Sequence, residues 1–537
     1  MKVEKEMNLL RRFSIGDVSR RHAALTPRKL ALIYYYPDGK MISYTFKEFN
    51  KAINKLANAL LDYGVKRGDK VSIYSLSCPQ VLILTYALCK IGAAIAPISP
   101  TLRGKDLLYI AKRSDAKMLF VEDTFLGPVN EVLSDLKGVQ NFGFVKLTGK
   151  DTRPDGWLDI DELISKYPDV EPEVEVNIED IASLTFTSGT EAFPKGVMLT
   201  HGNYYAASIG LVSPYYGNIK GDDVYLCVLP LFYTGGLGTA MQTLIVGGSV
   251  LLTYMPDPTQ MVELIPKHRV SLMVCPPTLY VRLLQVPTLK DINLSLLRRL
   301  ITFGAVMPEG MISEWNKIAP HIEWGALYAS SELSILGCGN RFYSVDEVPE
   351  GDMAWVGRPA PPIEMKLFDD NDQEVAVDEV GEMVFRGPGV FKGYYKDEDK
   401  NREIFRNGWF HSGDLGRMNK EGEVFFVDRK KDMVKSGGEN ISCASVELVV
   451  SSHPKVAEVA AFGVPHPDWM EALTVAVTPI KNEILTEEEI IQYCKQNLPR
   501  FKVPKYVRIV DDFPRNPTGK ILKRELRTMY KDLASQK

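Results

Sequence analysis

Short apolar runs alternate with segments of helical period along most of the chain. Segments 70–74, 116–121, 224–229, 248–252 and 272–274 are near-continuously apolar and read as buried strands, whereas 46–63 carries the spacing of an amphipathic helix. This rhythm predicts an α/β architecture with largely parallel sheets. The most apolar stretch, 81–98, contains Lys90, Gly92 and Pro97, and so reads as a buried helix followed by a strand and not as a membrane span. From residue 364 to 386 the pattern changes to strands at 366–368 and 382–385 around the turn Asp369-Asp370-Asn371, which predicts a β-rich subdomain. After a strand at 424–427 comes the charged run Asp428-Arg429-Lys430-Lys431-Asp432. A fresh α/β pattern then begins, with a helix at 445–452, a strand at 456–462 and a helix at 487–498. The expected division is an N-terminal domain of residues 1–428 and a C-terminal domain of residues 429–537.

Length and composition narrow the function. A chain of 537 residues with 45% apolar and 25% charged residues is too long for a small binding module and too apolar for disorder. A net charge of −4 supplies no overall basic field for nucleic acid or an anionic membrane. The seven cysteines are scattered and form no CxxC pair, so neither a disulfide framework nor a zinc site is expected. Charged residues interrupt positions 1–17, which leaves no secretory signal, and a cytoplasmic protein without stable membrane insertion is expected.

Five segments carry candidate chemistry. Thr187-Ser188-Gly189-Thr190, with Lys195 downstream, follows a strand-like run at 181–186; hydroxyls, glycine amides and a cation there suit a phosphate. It is neither a P-loop nor a Rossmann fingerprint, and taken alone it is equally an ordinary polar turn. Tyr328-Ala329-Ser330-Ser331-Glu332 offers a ring for a base, hydroxyls for a phosphate and a carboxylate for Mg²⁺, or else a capped strand end. Gly408–Gly416 contains Asp414, able to accept two ribose hydroxyls, in what alone reads as a glycine-rich hairpin. The charged run with Lys435-Ser436-Gly437-Gly438 and the C-terminal Pro517-Thr518-Gly519-Lys520 complete the set. Each is weak by itself, and their fixed order is the signal.

In that order the segments resemble the adenylate-forming superfamily of acyl-CoA synthetases, peptide-synthetase adenylation domains and beetle luciferases. The resemblance runs from Gly68-Asp69-Lys70-Val71 to Lys520. It implies two α/β subdomains plus a β-barrel-like piece in a large N-terminal domain, and a small mobile α+β lid hinged near 428–431. It implies ATP, Mg²⁺ and coenzyme A, with a carboxylic acid as the other small-molecule partner; it involves no nucleic acid and allows a homodimer. Carried over by position, Thr187, Ser188, Gly189, Thr190 and Lys195 hold the pyrophosphate side of ATP. Tyr328 stacks near the adenine, with Gly304 and Ala305 as its wall. Ser331 touches the α-phosphate, Glu332 holds Mg²⁺, and Asp414 and Arg429 bind the ribose. Lys520 meets the carboxylate and α-phosphate, Lys431 is the hinge, and Lys435, Gly437 and Gly438 face the site during thioester formation.

Departures from the family pattern shape the substrate expectation. Glu191-Ala192 stands where a hydroxyl residue and glycine are usual, so Glu191 is left out of the phosphate set. In Phe232-Tyr233-Thr234-Gly235, taken as acyl-pocket material, Tyr233 replaces the Asp of amino-acid-activating domains, and a substrate ammonium would go unpaired. The sequence runs only a short way past Lys520, so a fused carrier domain is not expected. The expected activity is an ATP-dependent acid:CoA ligase releasing AMP and pyrophosphate, with a medium- or longer-chain fatty acid preferred. Alternatives are a short-chain, hydroxy or aryl acid:CoA ligase, and a stand-alone adenylating enzyme that loads a carrier protein.

Overall fold

The computed structural model describes residues 10, 12–187, 194–480, 483–515 and 521–535. Among the described residues the strands form three sheets of 14, seven and five strands. The seven-stranded sheet pairs Lys70–Tyr74, Ala94–Ile98, Met118–Glu122 and Asn141–Val145 in parallel, and Lys195–Thr200 adds antiparallel to Ile181–Thr187. All five residues of Ala94–Ile98 and all twelve of the helix Pro79–Lys90 are buried, which is why this stretch lacks alternation. The helix Phe46–Asp62 starts at a capping box, Thr45 and Glu48 each satisfying the other's backbone amide.

In the largest sheet, Leu30–Tyr35, Ser249–Thr253, Val224–Cys227, Leu272–Val274, Arg299–Phe303 and Glu323–Tyr328 run parallel. The β-rich piece expected from sequence is joined to them edge-on. Cys338–Gly339 pairs antiparallel with Glu323–Tyr328, then come Trp355–Pro359, Val424–Arg429, Trp409–Met418 and Val380–Arg386. A buried polar knot locks this joint. The Arg299 guanidinium, fully enclosed, pairs with Glu323 and donates to the carbonyls of Tyr216 (2.5 Å) and Asn340 (3.2 Å). Asn340 in turn accepts from Ala326 N (2.6 Å) and donates to Trp355 O (3.0 Å), so the partners needed by an enclosed charge also stitch the two sheet regions together.

The five-stranded sheet holds Glu439–Ile441, Val434–Ser436, Met470–Pro479, Val456–His466 and Tyr506–Ile509, with its own core around Val446, Val475 and Ile490. At its edge Gly437 and Gly438 have φ of +60° and +87°, both inside a two-residue hairpin. Such a turn needs left-handed backbone at both positions, which glycine adopts without strain. No helix among the described residues is long and apolar enough to cross a membrane.

Candidate active site

Parallel strands deliver their carboxyl ends to one edge of the fold, where ligands of open α/β sheets bind. Ile181–Thr187 ends on Thr187, which pairs across the ladder with Lys195, the first residue of the return strand. Glu323–Tyr328 runs into Ser330 and the short turn Ser331–Leu333. Together they enclose a cavity of about 600 Å³ lined by Thr187, Lys195, Ser331, Glu332, Asp414 and Arg429 among others. Six residues singled out in four separate sequence segments therefore share one cavity. Ser188, Gly189, Thr190 and Lys520 lie outside the described residues.

The polar half of the cavity is held by directed hydrogen bonds. Glu332 accepts from the Tyr394 hydroxyl (2.8 Å), and the Lys195 ammonium sits 5.2 Å from the centre of the Tyr394 ring. Asp414 and Arg429 are direct cross-strand neighbours, with Arg429 Nε 3.7 Å from Asp414 Oδ1. Asp414 also accepts from the Tyr328 hydroxyl at 2.7 Å. Burial, and next the Asp414 carboxylate, push the Tyr328 phenol well above its ordinary pKa, which keeps it a donor. Its ring stacks on Phe385 (5.7 Å) and Phe426 (6.1 Å) and is not part of the cavity wall, so Tyr328 meets the cavity through Asp414. Gly304 and Ala305 are exposed and follow the lining residue Phe303 in the chain, but are not themselves part of the cavity wall.

The other half is apolar, walled by Leu211, Leu229, Val274, Ile301, Leu327 and Ile335, with Gly235 and Thr239 on one helix face. Of the expected acyl-pocket residues Gly235 lines this wall. Phe232 is buried and packs edge-on against Tyr233 at 4.6 Å. Burial raises the Tyr233 phenol pKa, and a hydrogen bond to Ser99 partly offsets the rise. The walls that sequence reading missed come from remote segments, with Leu211 on the helix His201–Val212, Leu229 just beyond the strand Val224–Cys227, and Val274, Ile301 and Leu327 on three parallel strands. Ile335 is a further case, a β-branched residue at φ +61° following Ser334 at +56°. Ser330 O accepts from Ile335 N (2.9 Å), and Tyr216 donates to Ile335 O (3.1 Å), which holds this costly backbone in place.

Beyond Arg429 the chain leaves the large sheet. Lys431 lines the cavity, while Lys430 pairs with Asp370 (2.7 Å) and Glu382 (3.3 Å). Asp428 accepts from Ala444 N (3.1 Å) at the start of the next helix. Lys435, Gly437 and Gly438 sit together on the Val434–Ile441 hairpin. Its backbone is tied to Glu471 and Trp469, and it is not part of the cavity wall in this arrangement.

A cavity at the carboxyl edge of parallel strands that gathers hydroxyls, an ammonium and carboxylates beside apolar side chains has the make-up of a nucleotide-binding site. Comparison with known proteins supplies the family. Residues 19–395 match the AMP-binding enzyme family, and residues 445–520 match the AMP-binding enzyme C-terminal domain. A crotonobetaine/carnitine–CoA ligase of Proteus mirabilis is 30% identical over 515 residues, spanning 94% of this chain and 97% of the relative. The long-chain-fatty-acid–CoA ligase FadD13 of Mycobacterium tuberculosis is 31% identical over 524 residues, spanning 96% and 98%. The ATP-bound structure of MatB from Rhodopseudomonas palustris superposes with a TM-score of 0.83 at 28% identity, covering 97% of this chain and 99% of that one. The chain belongs to the AMP-binding enzyme family and is an AMP-forming acyl-CoA synthetase that uses ATP and CoA.

Proposed function

We propose that the acid activated here is an aliphatic one with an uncharged tail, a medium- or longer-chain fatty acid in preference to a short, hydroxy, aryl or charged-tail acid. The observation that carries this reading is the apolar wall. Leu211, Leu229, Val274, Ile301, Leu327 and Ile335 offer no partner to a charged tail group, and burying an unpaired charge there would cost several kcal/mol, ~5 by analogy with broken buried pairs. Each buried methylene of an acyl chain gains about 0.8 kcal/mol in such a wall.

In the first step a carboxylate oxygen of the acid attacks the α-phosphorus of ATP and pyrophosphate leaves. Thr187 and Lys195, with Ser188, Gly189 and Thr190, receive the departing phosphates, and Ser331 holds the α-phosphate. Asp414 and Arg429 fix the ribose; their cross-strand pairing gives them one rigid support. Lys520 approaches both reacting anions and stabilises the charge growing between them. Glu332, one of the carboxylates lining the cavity, stands there with Thr187, Lys195 and Ser331, and a hard oxygen ligand beside a phosphate site suits Mg²⁺ brought in with the nucleotide. Glu332 would hold that ion, which when bound neutralises phosphate charge. In the second step the CoA thiolate attacks the acyl carbon and AMP leaves.

The two steps need different groups at one site. Residues 1–428 and 429–537 are proposed as the catalytic body and its lid. Rotation near 428–431, with Lys431 as pivot, exchanges Lys520 for the Lys435, Gly437 and Gly438 hairpin. The separate core of the five-stranded sheet supports this division. The reading is tested by pyrophosphate release across acids from acetate to palmitate, with hydroxy, aryl and betaine acids included. A CoA-dependent optimum at a fatty acid of six or more carbons is expected. An optimum at a charged or aryl acid would refute the substrate assignment.

A further inference from the structure

Tyr394 joins the two charges that face the phosphates, although no motif marks it. Its hydroxyl donates to Glu332 Oε1 at 2.8 Å, and its ring face lies 5.2 Å from the Lys195 ammonium. All three side chains line the same cavity. The position of Tyr394 is fixed from both sides. Its segment pairs with the Lys195 strand through the Val197–Tyr394 bridge, Met198 N to Gly393 O (3.1 Å) and Tyr395 N to Gly196 O (2.8 Å). The same segment is tied to the turn of Glu332 by Phe391 N to Glu332 O (2.8 Å). Asn401 clamps the residue itself, accepting from Tyr394 N (2.7 Å) and donating to Tyr394 O (2.9 Å). The Phe391 ring packs edge-on at 4.9 Å and limits ring rotation.

We propose that Tyr394 is a positioning residue for the phosphate half of the reaction, setting the Glu332 carboxylate with its hydroxyl and the Lys195 ammonium with its ring. The inference rests on the roles proposed above for Glu332 and Lys195. Holding Oε1 in a hydrogen bond fixes the carboxylate plane, so the remaining oxygen stays directed for a magnesium ion carried by the nucleotide. The ring face attracts the ammonium through its quadrupole and adds no charge of its own to the phosphate site. Tyr394 thus works through two other side chains, and its two contacts are separable by substitution.

The test is calorimetric binding of α,β-methylene ATP to the full chain, with Mg²⁺ and in EDTA. Tyr394→Phe retains the ring and loses the hydroxyl. It should bind the magnesium complex about tenfold more weakly and the metal-free nucleotide as the wild type does. Tyr394→Leu loses both contacts and should in addition weaken metal-free binding by about threefold. A merely structural role would move both conditions together in Tyr394→Phe. Equal affinities in wild type and Tyr394→Phe with Mg²⁺, or an equal loss in EDTA, would overturn the proposal. Failure of the fatty-acid reading would be seen separately, as absent acid-dependent turnover in the wild type, while the binding ratio still decides on Tyr394.

Discussion

Gly235 gives the sharpest test of where the acyl chain lies. A Cβ built on this glycine meets only Leu229 Cδ1 at 3.9 Å, and the residue lines the apolar half of the cavity. A leucine side chain here therefore enters the cavity without colliding with backbone. Its neighbour Gly236 has no such room, since a Cβ there would lie 2.2 Å from Pro230 O. Gly235 is the second residue of the helix Thr234–Ile245, where leucine carries no propensity penalty against glycine, so Gly235→Leu should not destabilise the fold. Four added carbons displace about three methylenes of a long acyl chain, at about 0.8 kcal/mol each. The summed loss of about 2.4 kcal/mol corresponds to about 50-fold in kcat/KM. The assay is CoA-dependent pyrophosphate release over a series of saturated acids. Long acids should lose about 50-fold, short acids little, and the optimum should move to shorter chains. An unchanged chain-length profile in a stable Gly235→Leu protein would refute the placement of the acyl chain along this wall.

Further expectations follow from the two-step scheme and from burial. Lys520→Ala should reduce adenylate formation by about 10²–10³-fold while CoA still attacks supplied acyl adenylate; equal loss in both half-reactions contradicts its role. Lys431→Pro, which fixes φ near −65°, should spare adenylate formation and slow thioester formation; normal thioester synthesis would remove the hinge assignment. His201 is fully enclosed, accepts from Ile15 N at 3.3 Å, and burial lowers its pKa from 6.5 to about 4. Because the unfolded chain takes up this proton first, stability present above pH 6.5 is lost as pH falls toward about 4, by about 3 kcal/mol in total. Denaturant titrations of His201→Gln should show a shallower loss over that window, and an identical slope would show that His201 does not carry it.

Much of the architecture was legible because local pattern and tertiary role coincide. The strands Lys70–Tyr74 and Leu272–Val274 have the bounds their apolar runs suggest, and the helix Phe46–Asp62 starts at its capping box. The glycine-rich segment near Asp414 was legible only in part. Asn407-Gly408 turns a short hairpin, but the rest continues as the ten-residue strand Trp409–Met418, because its neighbours on both sides supply ladder partners. The continuity of the large sheet was not legible, since it depends on pairing Trp355 with Phe425, and the chain between them forms other strands of the same sheet. At the site, the hydroxyl, carboxylate and cationic residues were marked out by type and order, whereas the apolar wall was not. Val274, Ile301 and Leu327 sit in ordinary apolar strand runs, and nothing in those runs sets them apart from other core residues. Tyr394 is a tyrosine in a Gly-Tyr-Tyr run, and its partners Lys195 and Glu332 come from remote segments.

The most direct measurement uses decanoate labelled with ¹⁸O in its carboxylate, incubated with the protein, ATP, Mg²⁺ and CoA, with products read by mass spectrometry. If this acid is activated through an acyl adenylate, decanoyl-CoA accumulates and each AMP carries one ¹⁸O, because the bridging oxygen leaves with the phosphate. AMP without label, or no decanoyl-CoA while another acid class is consumed, would contradict the account.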